Sequence, residues 1–143
     1  MDDPRSLPGF LKKSFALPYH GGEIWFEHLD GMHGQEALVL EKLAADSASF
    51  LRPSAPGFLC VNVDETLVTE RILDAICASL TTSRKVFRRV CFVGAGRRTA
   101  ALLAARLGAC GFALGFISDF EKTKEWLLPS VGKDGSCETF SRI

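Results

Sequence analysis

Residues 85–108 read Lys85-Val-Phe-Arg-Arg-Val-Cys-Phe-Val-Gly-Ala-Gly-Arg-Arg-Thr-Ala-Ala-Leu-Leu-Ala-Ala-Arg-Leu-Gly108. An apolar run from Val90 to Val93 ends at Gly94-Ala95-Gly96, and alanines and leucines at helical spacing follow at once. That succession predicts a buried strand, a glycine turn and a helix, the half-unit of a parallel α/β sheet. Gly108 then serves as the expected C′ residue of the helix.

Working outward, the same unit recurs on both sides. Phe58 to Val63 predicts a short buried strand. Asp64 or Thr66 is positioned to cap a helix whose apolar face is Ile72, Leu73, Ile76 and Leu80, closed by Thr81-Thr-Ser83. Phe112 to Ile117 predicts the last strand, and Ser118-Asp-Phe-Glu121 reads as a capping box before a short helix with Phe120, Trp126 and Leu127 inward. Upstream, Ser14 to Tyr19 and Glu23 to Leu29 flank His20-Gly21-Gly22, a hairpin signal. Gln35 to Leu51 has helical spacing and ends at Pro53-Ser-Ala-Pro-Gly57. The predicted order is ββαβαβαβα, an α/β fold with a mixed sheet of about five strands.

Composition suits one domain. Of 143 residues, 47% are apolar and 24% charged, the balance of a soluble globular chain and not of a disordered or fibrous one. Residues 1–13 and 130–143 read as flexible arms around a domain at 14–129. The formal net charge is zero, so charge makes no case for nucleic acid or a membrane surface. No stretch approaches the roughly 20 apolar residues of a spanning helix. The acidic start Met-Asp-Asp-Pro does not resemble an export signal. Five cysteines at wide, odd spacing (Cys60, Cys77, Cys91, Cys110, Cys137) fit reduced thiols of a cytoplasmic protein.

The charge is unevenly spread. No acid lies between Asp74 and Asp119, where Arg84, Lys85, Arg88, Arg89, Arg97, Arg98 and Arg106 fall; Asp64, Glu65, Glu70 and Asp74 form an acidic counterpart. Complementary patches on one fold are the plain reading.

Gly94-x-Gly96-x-x-Thr99, between a strand and a helix, also has the outline of a dinucleotide turn, with Asp119 where a ribose-binding acid would stand. Thr99 replaces the third small residue, and too little chain follows for a full dinucleotide domain. A narrower reading survives: Arg97 and Arg98 oppose the helix dipole unless an anion or a carboxylate compensates them. His28 and His33, which flank Asp30, are read as ordinary surface histidines and not as metal ligands with it, and no Gly-x-Ser-x-Gly elbow is present. Asp64-Glu65 follows a strand, where ligands commonly bind, though acids there usually cap the next helix.

In this order and these motifs the chain resembles the STAS superfamily, in particular small SpoIIAA-like proteins related to anti-sigma-factor antagonists. The resemblance covers roughly residues 14–129. It rests on the opening hairpin, the units at Phe58 to Leu80 and Val90 to Gly108, and the closing Phe116-Ile-Ser-Asp-Phe-Glu-Lys-Thr-Lys-Glu-Trp-Leu127. It implies a non-enzymatic regulatory or sensing module, without cofactor or metal, acting on a protein partner of kinase or anti-sigma kind. Antagonist members carry a phosphorylated serine in an Asp-Ser-Ser-Gly segment; the local counterpart is Val68-Thr69-Glu70-Arg71, which lacks the Asp, the second Ser and the Gly. Thr69, or else Thr66, would be the phospho-site. The partner or anion surface would comprise Asp64, Glu65, Gly94, Ala95, Gly96, Arg97 and Arg98. The competing expectation is carriage of an apolar or anionic small molecule in a pocket that Phe58, Phe87, Phe92, Phe112, Phe116 and Trp126 could line, although core packing is the plainer use of those aromatics. A nucleotide-binding enzyme ranks third.

Overall fold

The computed structural model describes residues 13–51 and 57–129. The arms expected at 1–13 and 130–143, the Pro53 to Pro56 breaker and Cys137 lie outside these residues, except Lys13. Five strands and four helices alternate: β1 (Phe15–Tyr19), β2 (Gly22–His28), α1 (Glu36–Phe50), β3 (Phe58–Asn62), α2 (Glu70–Thr82), β4 (Arg89–Val93), α3 (Arg97–Leu107), β5 (Ala113–Ile117) and α4 (Thr123–Leu127). Single 3-10 turns at Arg84–Val86 and Phe120–Lys122 precede β4 and α4. The α/β class, the mixed five-stranded sheet and the order of its elements are as the sequence predicts.

The strands lie side by side in chain order. β1 pairs antiparallel with β2, and β2 through β5 are mutually parallel. The hairpin turn is His20-Gly21, both at positive φ (47° and 82°), which matches the left-handed pair that a two-residue hairpin favours. Tyr19 Oη donates to Glu125 Oε2 at 2.7 Å, and His20 Nε2 lies 2.8 Å from the same oxygen, so α4 ties down the turn.

Because every parallel crossover steps one strand in the same direction, and such crossovers are right-handed, α1, α2 and α3 share one face of the sheet. Their core joins Val39, Leu43, Ile72, Ile76, Leu103 and Leu107 to Leu59, Val61, Val90 and Phe92. The alternate strand residues (Ile24, Phe26, Cys60, Cys91, Val93 and Ile117) face the other way and are covered by Leu127 of α4. Cys60 and Cys91 are neighbours in register and, with Cys77, buried and free; burial, with Cys60 alongside, pushes the Cys91 thiol well up.

Three local expectations need correction. Thr69, not Asp64 or Thr66, caps α2: its hydroxyl accepts the Ile72 amide. Asp119, not Ser118, caps the last segment, through the Glu121 amide. Gly108 has φ −61° and is not a left-handed C′ residue; it is instead a close-approach position, since an added Cβ would lie 2.8 Å from the Ala104 carbonyl oxygen.

Candidate functional site

The carboxyl ends of the parallel strands carry most of the residues picked out from the sequence. Pairing continues there beyond the strands themselves. Leu29 N donates to Asn62 O (2.9 Å), Gly31 N to Asp64 O (2.8 Å), His33 N to Glu65 O (2.9 Å) and Leu67 N to His33 O (2.7 Å). The β2–α1 and β3–α2 loops are therefore zipped together as an irregular extension of the sheet. Thr66 closes the zip: its hydroxyl donates to Leu29 O at 2.6 Å and accepts the Met32 amide at 3.0 Å. Asn62, nearly buried, holds the start of the loop by accepting the Asp64 amide on Oδ1 at 3.0 Å.

Thr69 stands at the far end of this loop. Its hydroxyl caps α2 and donates to Glu36 Oε2, while Glu36 Oε1 pairs with Arg71 at 3.3 Å. One short polar chain therefore joins the first turns of α1 and α2. Asp64 and Glu65 are exposed, and Glu65 has φ 56°.

The neighbouring turn from β4 to α3 is built differently. Gly94 has φ 80°, and a Cβ there would overlap the Asp64 Cα and lie 2.7 Å from the Asp64 amide nitrogen. Its glycine is thus required by packing against the β3–α2 loop and by the left-handed backbone. Gly96 has φ −68° and open space where a Cβ would go. It is the N-cap of α3 without a side-chain cap, and the first turn of α3 has no acid. Arg97 and Arg98 are exposed and pair with no carboxylate among the described residues. A shallow open cleft of about 330 Å3 runs beside this turn, lined by Asp64, Phe92, Gly94, Ala95, Phe116 and Ser118.

So the fold brings Asp64, Gly94 and Ala95 together at one cleft, with Glu65, Gly96, Arg97 and Arg98 on the adjoining loop and turn. Thr66 and Thr69 are held behind it in the β3–α2 loop. The two charge patches do meet elsewhere: Arg106 of α3 donates to Asp74 of α2 at 2.7 Å, which raises the Arg106 pKa.

The histidine reading divides. His33 is exposed, as expected, but His28 is largely buried against a buried acid, Asp30. His28 Nδ1 lies 2.8 Å from Asp30 Oδ1, with side-chain exposures of 13% and 6%. The His28 ring packs against Phe15 and Phe120. No group of three or more His, Cys, Asp or Glu among the described residues could hold a metal ion. The aromatics considered as pocket lining pack on one another or under arginines: Phe87 on Phe112, Phe92 on Phe116, and Trp126 beneath the Arg89 guanidinium at 4.5 Å.

Sequence reasoning missed a buried polar cluster beneath α1. Glu27 in β2 is fully buried; its Oε1 accepts the Trp25 indole N–H at 2.9 Å, and Oε2 has no hydrogen bond of ordinary geometry but faces the Asp46 carboxylate. Lys42 donates to Asp46 at 2.9 Å and to Ser14 at 2.6 Å. Burial, then the nearby Asp46, push the Glu27 pKa up to about 8. Burial also acts to raise Asp46, but the neighbouring Glu27 and the bond from the Lys42 ammonium outweigh it and the value ends below the usual carboxylate range. Glu27 is thus a neutral acid at neutral pH, beside the Asp46 carboxylate. The available signal was a carboxylate in a strand flanked by apolar residues on both faces.

No helix among the described residues is long and apolar enough to cross a membrane. No family model, curated protein or solved structure matches the chain.

Proposed function

We propose that this protein is a non-enzymatic regulatory module of STAS-like, SpoIIAA-like type, which binds a protein partner through the carboxyl end of its sheet. The observation that carries the reading is the turn at Gly94 to Arg98. Two exposed arginines stand there at an uncapped helix start, beside the exposed acids Asp64 and Glu65, on a rigid base. Cations at that position cost stability against the helix dipole. A partner carboxylate or phosphate would relieve the cost on contact.

Thr69 is the better of the two candidate switch hydroxyls. A phosphate there would remove the donor to Glu36, add charge beside Glu36 and Glu70, and free Arg71 to pair with the new group. Phosphorylation would then act by loosening the α1–α2 contact at the edge of the partner surface. Thr66 is less suited because its hydroxyl holds two backbone groups of the neighbouring loop, the Leu29 carbonyl and the Met32 amide, whereas Thr69 donates to a side chain, Glu36.

Partner binding is preferred to small-molecule carriage because the 330 Å3 cleft that Phe92 and Phe116 help line lies open at the surface, while the void between α1, β3 and α2, lined by Leu43, Phe50, Leu59 and Ile76, is only about 10 Å3. That is roughly the room of a single water and far below a ligand pocket of a few hundred Å3. Nucleotide binding is disfavoured because packing against Asp64 already accounts for Gly94. The test is recovery of the full chain from its own cells, comparing wild type with Arg97→Glu/Arg98→Glu. A partner present with the wild type and lost with the variant supports the reading; identical recovery refutes it. Intact-mass measurement of the same material reports any phosphate, and unmodified Thr69 and Thr66 would remove the switch while leaving the contact surface standing.

A further inference from the structure

β1 differs from the other four strands in burying none of its own residues. Apolar packing therefore does little to keep it on the edge of the sheet. Polar groups pin its two ends instead. At the hairpin, Tyr19 and His20 meet Glu125 of α4. At the start, the Ser14 hydroxyl accepts the His28 amide at 2.9 Å and the Lys42 ammonium at 2.6 Å.

Through Lys42, that second pin belongs to the buried cluster beneath α1. Lys42, whose side chain is 9% exposed, spans Ser14 and Asp46, and Asp46 faces Glu27. Ser14 itself bonds Asp46 and stands opposite Glu27, one step beyond the Phe15–Phe26 pair. One polar chain thus joins the start of β1, the end of β2 and α1.

That chain holds two carboxyl groups and one ammonium. Asp46 and Lys42 of α1 and the Trp25 indole of β2 act on Glu27, while β1 adds the uncharged Ser14 and β3 the apolar Val61. One ammonium balances one carboxylate. Ionising the second sets two like charges face to face with Glu27 fully buried, and a buried charge without its own counter-ion is costly. Lys42 is then pulled between two carboxylates, against its bond to Ser14. The pKa of about 8 at Glu27 agrees with this count.

We propose that Glu27, Asp46, Lys42 and Ser14 form a proton-dependent latch, closed while Glu27 is protonated and releasing the start of β1 from the sheet when that proton is lost to solvent. The fold holds the Glu27 proton more tightly than the opened cluster does, so the closed form prevails below the titration and fades above it. Release takes a cover from β2, because Phe15 stacks on Phe26 and on the His28 ring and leaves both when the strand start lifts. Val39 and Leu43 still hold α1 to the sheet, so the motion is confined to one strand end. None of residues 94–98 takes part, so the latch and the partner surface stand independently.

The test is amide hydrogen exchange of the full chain by NMR, read as protection factors on either side of the Glu27 titration, at about pH 6 and about pH 9. In an antiparallel pair closed by a two-residue turn, the Phe15 and Leu17 amides bond to β2 and report the latch. The Leu59 and Val90 amides report the central strands. Protection at Phe15 and Leu17 should fall by about tenfold or more as the pH rises, with a much smaller change in the central strands. Glu27→Gln keeps the shape and removes the titrating proton, so protection should stay high at both values. Ser14→Ala frees the strand without touching the acids, so its Phe15 and Leu17 amides should already exchange fast at the lower pH. Equal protection of these amides at both pH values in the wild type overturns the proposal. So does a loss that persists in Glu27→Gln, a loss shared equally by all five strands, or full protection in Ser14→Ala.

Discussion

The β3–α2 loop and the β4–α3 turn occupy equivalent positions in consecutive units of one sheet, yet they use their polar groups in opposite ways. In the first, Thr66, Thr69, Asn62 and the backbone of 64–67 bond inward, to the neighbouring loop or to α2. In the second, Gly94 packs against Asp64 and the Gly96 carbonyl starts α3 by accepting the Ala100 amide, while Arg97 and Arg98 are exposed and pair with no carboxylate among the described residues. A glycine-containing turn is therefore not one motif with one cause. Its first glycine answers to packing, and its second half is open to a contact.

The largest expected effect falls on Gly94. Gly94→Ala combines a left-handed backbone with an overlap against Asp64, and should cost on the order of 4 kcal/mol in urea unfolding. A loss below about 1 kcal/mol would mean that the two loops are not packed as described.

Next comes a background term from beneath α1, outside both loops. Glu27 is neutral in the fold, with its pKa raised from 4.5 to about 8. The folded state therefore binds more protons than the unfolded chain between these values. Its contribution is full below about pH 4.5 and declines as pH rises to about 8. Glu27→Gln should flatten that decline, as read from unfolding midpoints at several pH values. An unchanged slope would move the titration to another group.

Within the first loop, Thr66→Val should cost about 2 kcal/mol, because it strands the Met32 amide and the Leu29 carbonyl. Thr69→Ala should cost about 1 kcal/mol through loss of the α2 cap. Across in the second turn, Gly96→Ala should stay within about 0.5 kcal/mol of wild type. Arg97→Glu/Arg98→Glu should be neutral or stabilising by about 0.5 kcal/mol, since acids suit a helix start. A large loss at either of these exposed positions would erase the contrast between the two loops.

The sheet was legible in the sequence because its determinants are local: apolar runs of five or six residues, helical spacing between them, and a glycine-marked hairpin. Strand–turn–helix continuity at residues 85–108 even gave the position of Gly94. Caps were read less well. Asp64 and Thr66 are good capping residues by type, but the β3–α2 loop runs on to pair with the β2–α1 loop, so α2 begins later, at Thr69. That pairing joins residues more than 30 positions apart and has no periodic signature. The same holds for His28 with Asp30 and for Glu27 with Asp46 and Lys42, where burial, set by packing, decides the chemistry. The charge asymmetry was visible, but only the fold separates Arg106, bound to Asp74, from Arg97 and Arg98.

The most direct test of the division between the two loops is amide-resolved NMR of the labelled full chain, titrated with the partner recovered from its own cells. The account predicts shift changes concentrated at residues 94–98 and, beside them, 64–69. Changes centred on the amino end, around residues 84–88, with the 94–98 turn unmoved, would contradict it.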